Sequence, residues 1–175
     1  IETWVDGTMR SFTSRNFAVV ARDGKKVYGY GRSIWALIDT QTRRPADLQS
    51  IHDGLILEYI ETEKACPIHN PGRVKIDKDA TFVRSCDTYY NDIDVNGHVN
   101  SVKYIEHILD LFNLEWYRSN FLKRMEISYV AESHLGDRLN FYKQSNNDGE
   151  YCVSVTKGDQ EEVEVVRCLL YFSNS

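Results

Sequence analysis

The sequence predicts an α+β protein in two parts: a three-stranded meander, then one strand, one helix and four further antiparallel strands. Three observations carry this prediction. Eleven tyrosines favour β structure. Alternating apolar runs are separated by Gly-containing turns such as Asp23-Gly24 and Gly158-Asp159. A single apolar stripe, Val102, Ile105, Ile108, Leu109 and Phe112, recurs at the three- and four-residue spacing of a helix.

In chain order, Ile1 to Val5 reads as a strand, Asp6-Gly7 as a turn and Arg10 to Ala21 as a long strand. Asp23-Gly24 forms a tight hairpin, and the returning strand runs from Val27 to Asp39. Gly29 and Gly31 within it suggest a bulge or a close backbone approach. From Pro45 to Asp79 the pattern weakens; Pro67, Pro71 and Gly72 mark an extended connector, and the charged run Lys75 to Asp79 reads as a solvated loop. Ala80 to Tyr90 is the first strand of the second part. Asn100 or Ser101 caps a helix reaching about Asn113, and strands follow at about 123–134, 138–145, 150–157 and 161–173. The expected division is a partial N-terminal unit over 1–60, a linker over 61–79 and a complete unit over 80–175.

At 175 residues and 20.3 kDa the chain accommodates one domain, or one and a part. A net charge of −5 argues against a nucleic-acid partner. Apolar runs are too short to span a bilayer, and the sequence shows no secretory leader. Ile1 opens directly into a strand without an initiator methionine, which suggests a chain cut from a longer one. Cys66, Cys86, Cys152 and Cys168 are expected as reduced thiols in a cytosol-like compartment.

Function is concentrated in Asp92-Ile93-Asp94-Val95-Asn96-Gly97-His98-Val99-Asn100, directly ahead of the helix. Acyl-ester hydrolysis needs a water-activating base, an orienting amide and N–H donors for a developing oxyanion. Asp94, Asn96 and His98 alternate, so in extended backbone they would point the same way. An Asn96-Gly97 hairpin turn is disfavoured because a helix follows, and Asp92 reads as an ordinary turn and capping residue. Gly97, Val99 and Asn100 bring amides to the helix start that could hold a thioester carbonyl oxygen. Cys66 and His69 lack a second pair at zinc spacing; His52 and His134 have no partner visible in sequence, and His107 reads as a solvated or core-edge residue.

This stretch, with Ser101-Val102-Lys103-Tyr104-Ile105-Glu106, resembles the signature of hotdog-fold thioesterases. The variant Asn-x-His-Val-Asn-x-x-Lys-Tyr-Ile is most similar to the fatty acyl-ACP thioesterases of bacteria and plastids. Glu2 to Val5, Arg10 to Phe17 and Thr42 to Pro45 are also similar to that family. The resemblance implies tandem hotdog units, each a curved antiparallel sheet wrapped around a helix, with the first unit's opening strand and helix missing here. It implies hydrolysis of fatty acyl-ACP to free acid and holo-ACP, with the acyl chain in an apolar tunnel associated with the first unit.

The segment Met125 to Ser133 resembles the family strand ending in a catalytic glutamate followed by cysteine. Glu132 matches the glutamate, whereas Ser133 departs from the cysteine and does not carry over a thiol nucleophile. Glu132 or Asp94 is the expected base, with Asn96 and His98 holding water and carbonyl; Asp94 could instead orient its neighbours. Attack by a carboxylate through an anhydride stays open. No resident metal or cofactor is expected, since phosphopantetheine arrives with the carrier. Arg43 and Arg44 are candidate contacts for an acidic acyl carrier protein. Pairing as a homodimer or tandem hotdog is expected, in bacterial cytoplasm or, for a plant chain, plastid stroma. Alternatives are an acyl-CoA thioesterase of the hydroxybenzoyl-CoA thioesterase type and a non-catalytic acyl-binding hotdog subunit.

Overall fold

In the computed structural model the chain divides into two units, Ile1–Pro71 and Gly72–Ser175. The structure describes all residues except Pro71, Arg73, Lys75, Asp77, Lys78, Asp79, Asp148 and Ser175, and only the backbone of Asn147. Most of the charged run expected as a solvated loop therefore lies outside the described residues.

The N-terminal unit holds an antiparallel sheet in the order β1-β2-β3, with β1 at Glu2–Met9, β2 at Phe12–Val20 and β3 at Val27–Ala36. Asp6-Gly7 is not the predicted turn. The register shifts there between Val5 and Gly7, so the pair forms a bulge inside β1, and the chain reverses at Arg10-Ser11. The Asp23-Gly24 hairpin forms as predicted: Ala21 N–H donates to the Lys26 carbonyl at 2.7 Å, and Gly24 adopts φ +71°. A second register shift, between Val19 and Val20, falls opposite Val27 to Gly29, where the glycines suggested one.

The stretch 45–64 is more ordered than its sequence pattern suggests. A 3₁₀ turn at Leu48–Ser50 is followed by a kinked 3₁₀ stretch at His52–Tyr59, whose non-helical backbone at Asp53 and Gly54 explains why no helical period is visible. Ile60 bridges Val5 in parallel, and the Trp4 indole N–H donates to the Lys64 carbonyl at 2.8 Å. These turns border an open apolar pocket of about 310 Å³ lined by Leu37, Leu48, Ile51, Leu55, Ile56 and Tyr59, with His52 at its wall.

The C-terminal unit is a five-stranded antiparallel sheet in the order β4-β6-β7-β8-β5. Its strands are β4 at Thr81–Asp87, β5 at Asn120–Tyr129, β6 at Arg138–Asn147, β7 at Glu150–Lys157 and β8 at Val163–Asn174. Helix α1, Ser101–Leu109, buries Tyr104 and Ile108 against Leu139, Phe141, Val153, Val155, Val166 and Leu170. Each such side chain contributes about 1.5–3 kcal/mol by leaving water. Asn100 is the N-cap, its side chain accepting from Val102 N–H at 3.0 Å.

Helix α1 ends four residues before its predicted limit. Leu111 and Phe112 stay in the core after the backbone has left the helix, so the apolar stripe outlasts the helical geometry. Asn113 then caps a second short helix, α2, at Leu114–Ser119, which the sequence reading did not separate. At the turn before β7, Gly149 sits at φ +78°, where a Cβ would lie 2.6 Å from the Phe172 carbonyl oxygen. Only glycine fits both the dihedral and the approach.

Candidate active site

The loop ahead of α1 is a hairpin turn after all. Ile93 and Val99 form an antiparallel bridge, and Asp94 N–H donates to the His98 carbonyl at 2.8 Å. Gly97 N–H closes a tight turn on the Asp94 carbonyl at 3.1 Å with φ +83°, as in a three-residue hairpin loop with glycine in the left-handed position. A helix can follow because the hairpin is one bridge long and Asn100 restarts the chain as N-cap. The backbone is therefore not extended, and the alternation argument for Asp94, Asn96 and His98 does not hold.

Asp94 organises this turn. One carboxylate oxygen accepts from the backbone N–H groups of Asn96 at 2.8 Å and His98 at 3.2 Å. These donors, led by the Asn96 N–H and joined by the Asn96 side-chain amide, hold the Asp94 carboxyl below its ordinary value despite partial desolvation. Asp92 behaves as the capping residue read from sequence, accepting from Tyr89 N–H at 2.8 Å.

The expected oxyanion amides are already engaged. Gly97 N–H donates to Asp94, Val99 N–H to the Ser133 carbonyl at 2.8 Å, and Asn100 N–H to the Asp92 carbonyl at 2.7 Å. Backbone donors that close a turn and tie it to its neighbours are not available to a substrate oxygen in this arrangement.

Glu132 lies three residues beyond the end of β5 rather than on the predicted strand. Val130 and Ala131 both direct their N–H groups to the Val165 carbonyl, and the chain then peels from the sheet. Lys157 holds this departing segment, donating to the Glu132 carbonyl at 2.7 Å and pairing with Asp137 at 3.1 Å. The buried Thr88 hydroxyl donates to the His134 carbonyl at 2.7 Å. Thr88, Asp137 and Lys157 are scaffold residues that sequence reasoning missed, because each acts on backbone and belongs to no local motif.

The two loops meet at His98 and Glu132. The His98 Nε2 atom lies 3.3 Å from the Glu132 Oε2 atom, with side chains 28% and 51% exposed. The His134 ring stands edge-on to His98, with centroids 5.1 Å apart. Ser133, at 1% exposure, points inward. Its hydroxyl and the buried Tyr104 phenol lack well-formed hydrogen bonds, although burial, the main cause of the raised Tyr104 pKa, is partly offset by the serine. A serine held this way is inaccessible as a nucleophile.

The remaining predicted residues lie in the N-terminal unit. Arg43 and Arg44 occupy an exposed turn that Asp39 organises by accepting from Gln41 and Thr42 N–H groups. All four cysteines are free thiols.

A helix cradled by a five-stranded antiparallel sheet, preceded by a polar loop, defines the C-terminal unit as a hotdog fold. The chain belongs to the acyl-ACP thioesterase family. Residues 1–56 match the model of the acyl-ACP thioesterase N-terminal domain, and residues 75–168 that of the acyl-ACP thioesterase C-terminal domain. A crystal structure of an acyl-ACP thioesterase from Bacteroides thetaiotaomicron is 45% identical with a TM-score of 0.87, over 98% of this chain and 67% of that one. The chloroplastic palmitoyl-acyl carrier protein thioesterase of Arabidopsis thaliana is 30% identical over 135 residues, 75% of this chain and 33% of that protein. The 12:0-ACP thioesterase of Umbellularia californica shares the fold at a TM-score of 0.80 and 19% identity, over 99% of this chain and 66% of that one. The chain spans about a third of the length of the curated relative from Arabidopsis. No helix among the described residues is long and apolar enough to cross a membrane.

Proposed function

We propose that this chain carries the hydrolytic centre of an acyl-ACP thioesterase, releasing a free fatty acid and holo-ACP from fatty acyl-ACP. The observation that carries the proposal is the His98–Glu132 pair at 3.3 Å, presented by two fixed loops within the family signature.

Glu132 takes a proton from a water molecule as the water oxygen bonds to the thioester carbonyl carbon. The tetrahedral oxyanion is held by side chains, Asn96 and His98, because the nearby amides of Gly97, Val99 and Asn100 are engaged. Collapse breaks the C–S bond, and the proton passes from the Glu132–His98 pair to the departing phosphopantetheine thiolate. Asp94 is a positioning residue in this scheme, shaping the turn that carries Asn96 and His98. The scheme uses no resident cofactor.

We expect the acyl chain in an apolar tunnel associated with the first unit, as the family resemblance implies. Arg43 and Arg44 are our candidates for the carrier protein, and reversing their charge should raise KM for acyl-ACP but not for acyl-CoA. We place the reaction where acyl carrier protein is found, in bacterial cytoplasm or plastid stroma, and expect the hotdog units to pair as a homodimer or in tandem.

The test is thiol release from long-chain acyl-ACP and the matching acyl-CoA by the intact protein, wild type beside Glu132→Gln. Release favouring ACP, and lowered about a hundredfold or more in the variant, is the expected result. Preference for CoA would support the hydroxybenzoyl-CoA-type alternative. Silence on both substrates would reject the hydrolase and leave an acyl-binding subunit.

A further inference from the structure

Among the described residues, His98, Glu132 and His134 form a cluster of metal-ligating side chains, each offering one atom within 4.8 Å of the others. We propose that these three residues bind a transition-metal ion of the Zn²⁺ class, and that the bound ion blocks hydrolysis. The binding site follows from geometry; the blocking effect rests on the functional reading above.

The donor set selects the ion. Two imidazoles and one carboxylate suit borderline metals such as Zn²⁺, whereas Mg²⁺ and Ca²⁺ favour all-oxygen shells. Tetrahedral zinc, with bonds of about 2.0–2.2 Å, sets neighbouring ligand atoms roughly 3.3–3.5 Å apart. His98 Nε2 and Glu132 Oε2 already stand at 3.3 Å. The third ligand must close a gap of at most 4.8 Å, and the exposed His134 side chain can do so by a torsional adjustment.

The backbones carrying the ligands are fixed. Val99 N–H ties the first loop to the Ser133 carbonyl, Thr88 grips the His134 carbonyl, and the Asp137 carboxylate accepts from His134 N–H at 2.9 Å. Three protein ligands leave a fourth position facing solvent, the arrangement of an accessible site rather than a closed structural one. Hydrolysis gives His134 no role. An ion held there would occupy the Glu132 oxygen that accepts the water proton and replace the proton on the His98 ring nitrogen, so that His98 could no longer donate an N–H to the oxyanion from that atom.

The test titrates metal-free intact protein with Zn²⁺ calorimetrically, with Mg²⁺ as control, for wild type, His134→Ala and Cys66→Ser. Expected are one Zn²⁺ per chain, binding weakened at least about tenfold in His134→Ala, and no change in Cys66→Ser. Thiol release from acyl-ACP should fall with the same midpoint and return with EDTA, while His134→Ala keeps its metal-free rate and loses the Zn²⁺ sensitivity. Absence of stoichiometric binding, or equal binding by His134→Ala, would overturn the site. His134-dependent binding that leaves the rate unchanged or raises it would overturn the block. If metal-free protein cleaves no thioester, the functional reading fails, and His134-dependent binding still decides the site.

Discussion

Replacing Asp94 by asparagine and by alanine separates two roles that a carboxylate beside His98 could play. Its carboxylate oxygen accepts two backbone hydrogen bonds, at 2.8 and 3.2 Å, which shape the turn carrying Asn96 and His98. Asparagine retains a side-chain oxygen for both donors and loses only the charge; alanine loses the acceptor. One ordinary hydrogen bond shifts an equilibrium about three- to tenfold, so Asp94→Ala should lower the population of the ordered turn, and kcat/KM with it, about ten- to hundredfold. Asp94→Asn should stay within about fivefold of wild type. Glu132→Gln, which removes the proposed base, should lose about two to four orders of magnitude. The assay is initial-rate thiol release from one acyl-ACP under subsaturating conditions, with circular dichroism confirming that each variant is folded. Should Asp94→Asn prove as inactive as Asp94→Ala while Glu132→Gln stays within tenfold of wild type, Asp94 is the base and the assignment above is wrong.

Two glycines should respond differently to alanine: Gly97 meets nothing within 4 Å and faces only the left-handed dihedral cost of about 1 kcal/mol, whereas Gly149 adds a 2.6 Å clash with backbone. Thermal denaturation should therefore show Gly149→Ala as clearly the less stable, and the reverse order would refute the turn geometry. Burial, with nearby Cys152 and Glu126, pushes the Cys168 thiol up to about 12, and burial also raises Cys86. A colorimetric thiol reagent at pH 8 should modify no more than Cys66 and, slowly, Cys86 in the native protein, and all four after denaturation; rapid reaction of Cys168 would contradict the packing. The folded Asp94 carboxyl titrates below its ordinary 3.8, so the ordering it provides is full above that pH and lost as pH falls through the lower folded value. In an NMR pH titration the Asn96 and His98 amide resonances should move together below pH 3.8, and a transition between about pH 4 and 6 would show the carboxylate is not so held.

Element type was legible wherever one period dominated a segment. The stripe through Ile105 and Ile108 found α1, and alternation found β6 and β7 closely. Boundaries failed where packing and backbone geometry part company: Phe112 packs in the core after its helix has ended, and Glu132 follows a strand that has already released its chain. Residues 45–60 showed only a weakened pattern because 3₁₀ turns with irregular dihedrals repeat at neither 2.0 nor 3.6 residues. Asn96 and Gly97 gave the correct local signal for a hairpin, but the helix after them argued against it. The candidate residues were legible as chemical types, while their contacts were not. The approach of Glu132 and His134 to His98 joins loops more than thirty positions apart, and the grips of Thr88 and Lys157 on backbone carbonyls leave no mark in the pattern.

The hairpin changes what the helix start can contribute. A capped α-helix ordinarily presents N–H groups and a positive dipole end to an anion. Here the Asn100 side chain takes Val102 N–H, the Asn100 carbonyl takes Lys103 N–H, and the preceding amides of Gly97, Val99 and Asn100 hold the loop together. The turn is thereby rigid, but its backbone has little left to offer an oxyanion. Charge developing on a bound thioester must then be met by side chains. Asn96 suits this task because a carboxamide has two N–H donors, and anchoring one against Asp94 still leaves the other to donate. His98 serves from the same turn while facing Glu132. Rigid backbone and available side chains are thus two products of one arrangement, in which Asp94 fixes the shape of the turn and Glu132, from the opposite loop, is the base we propose.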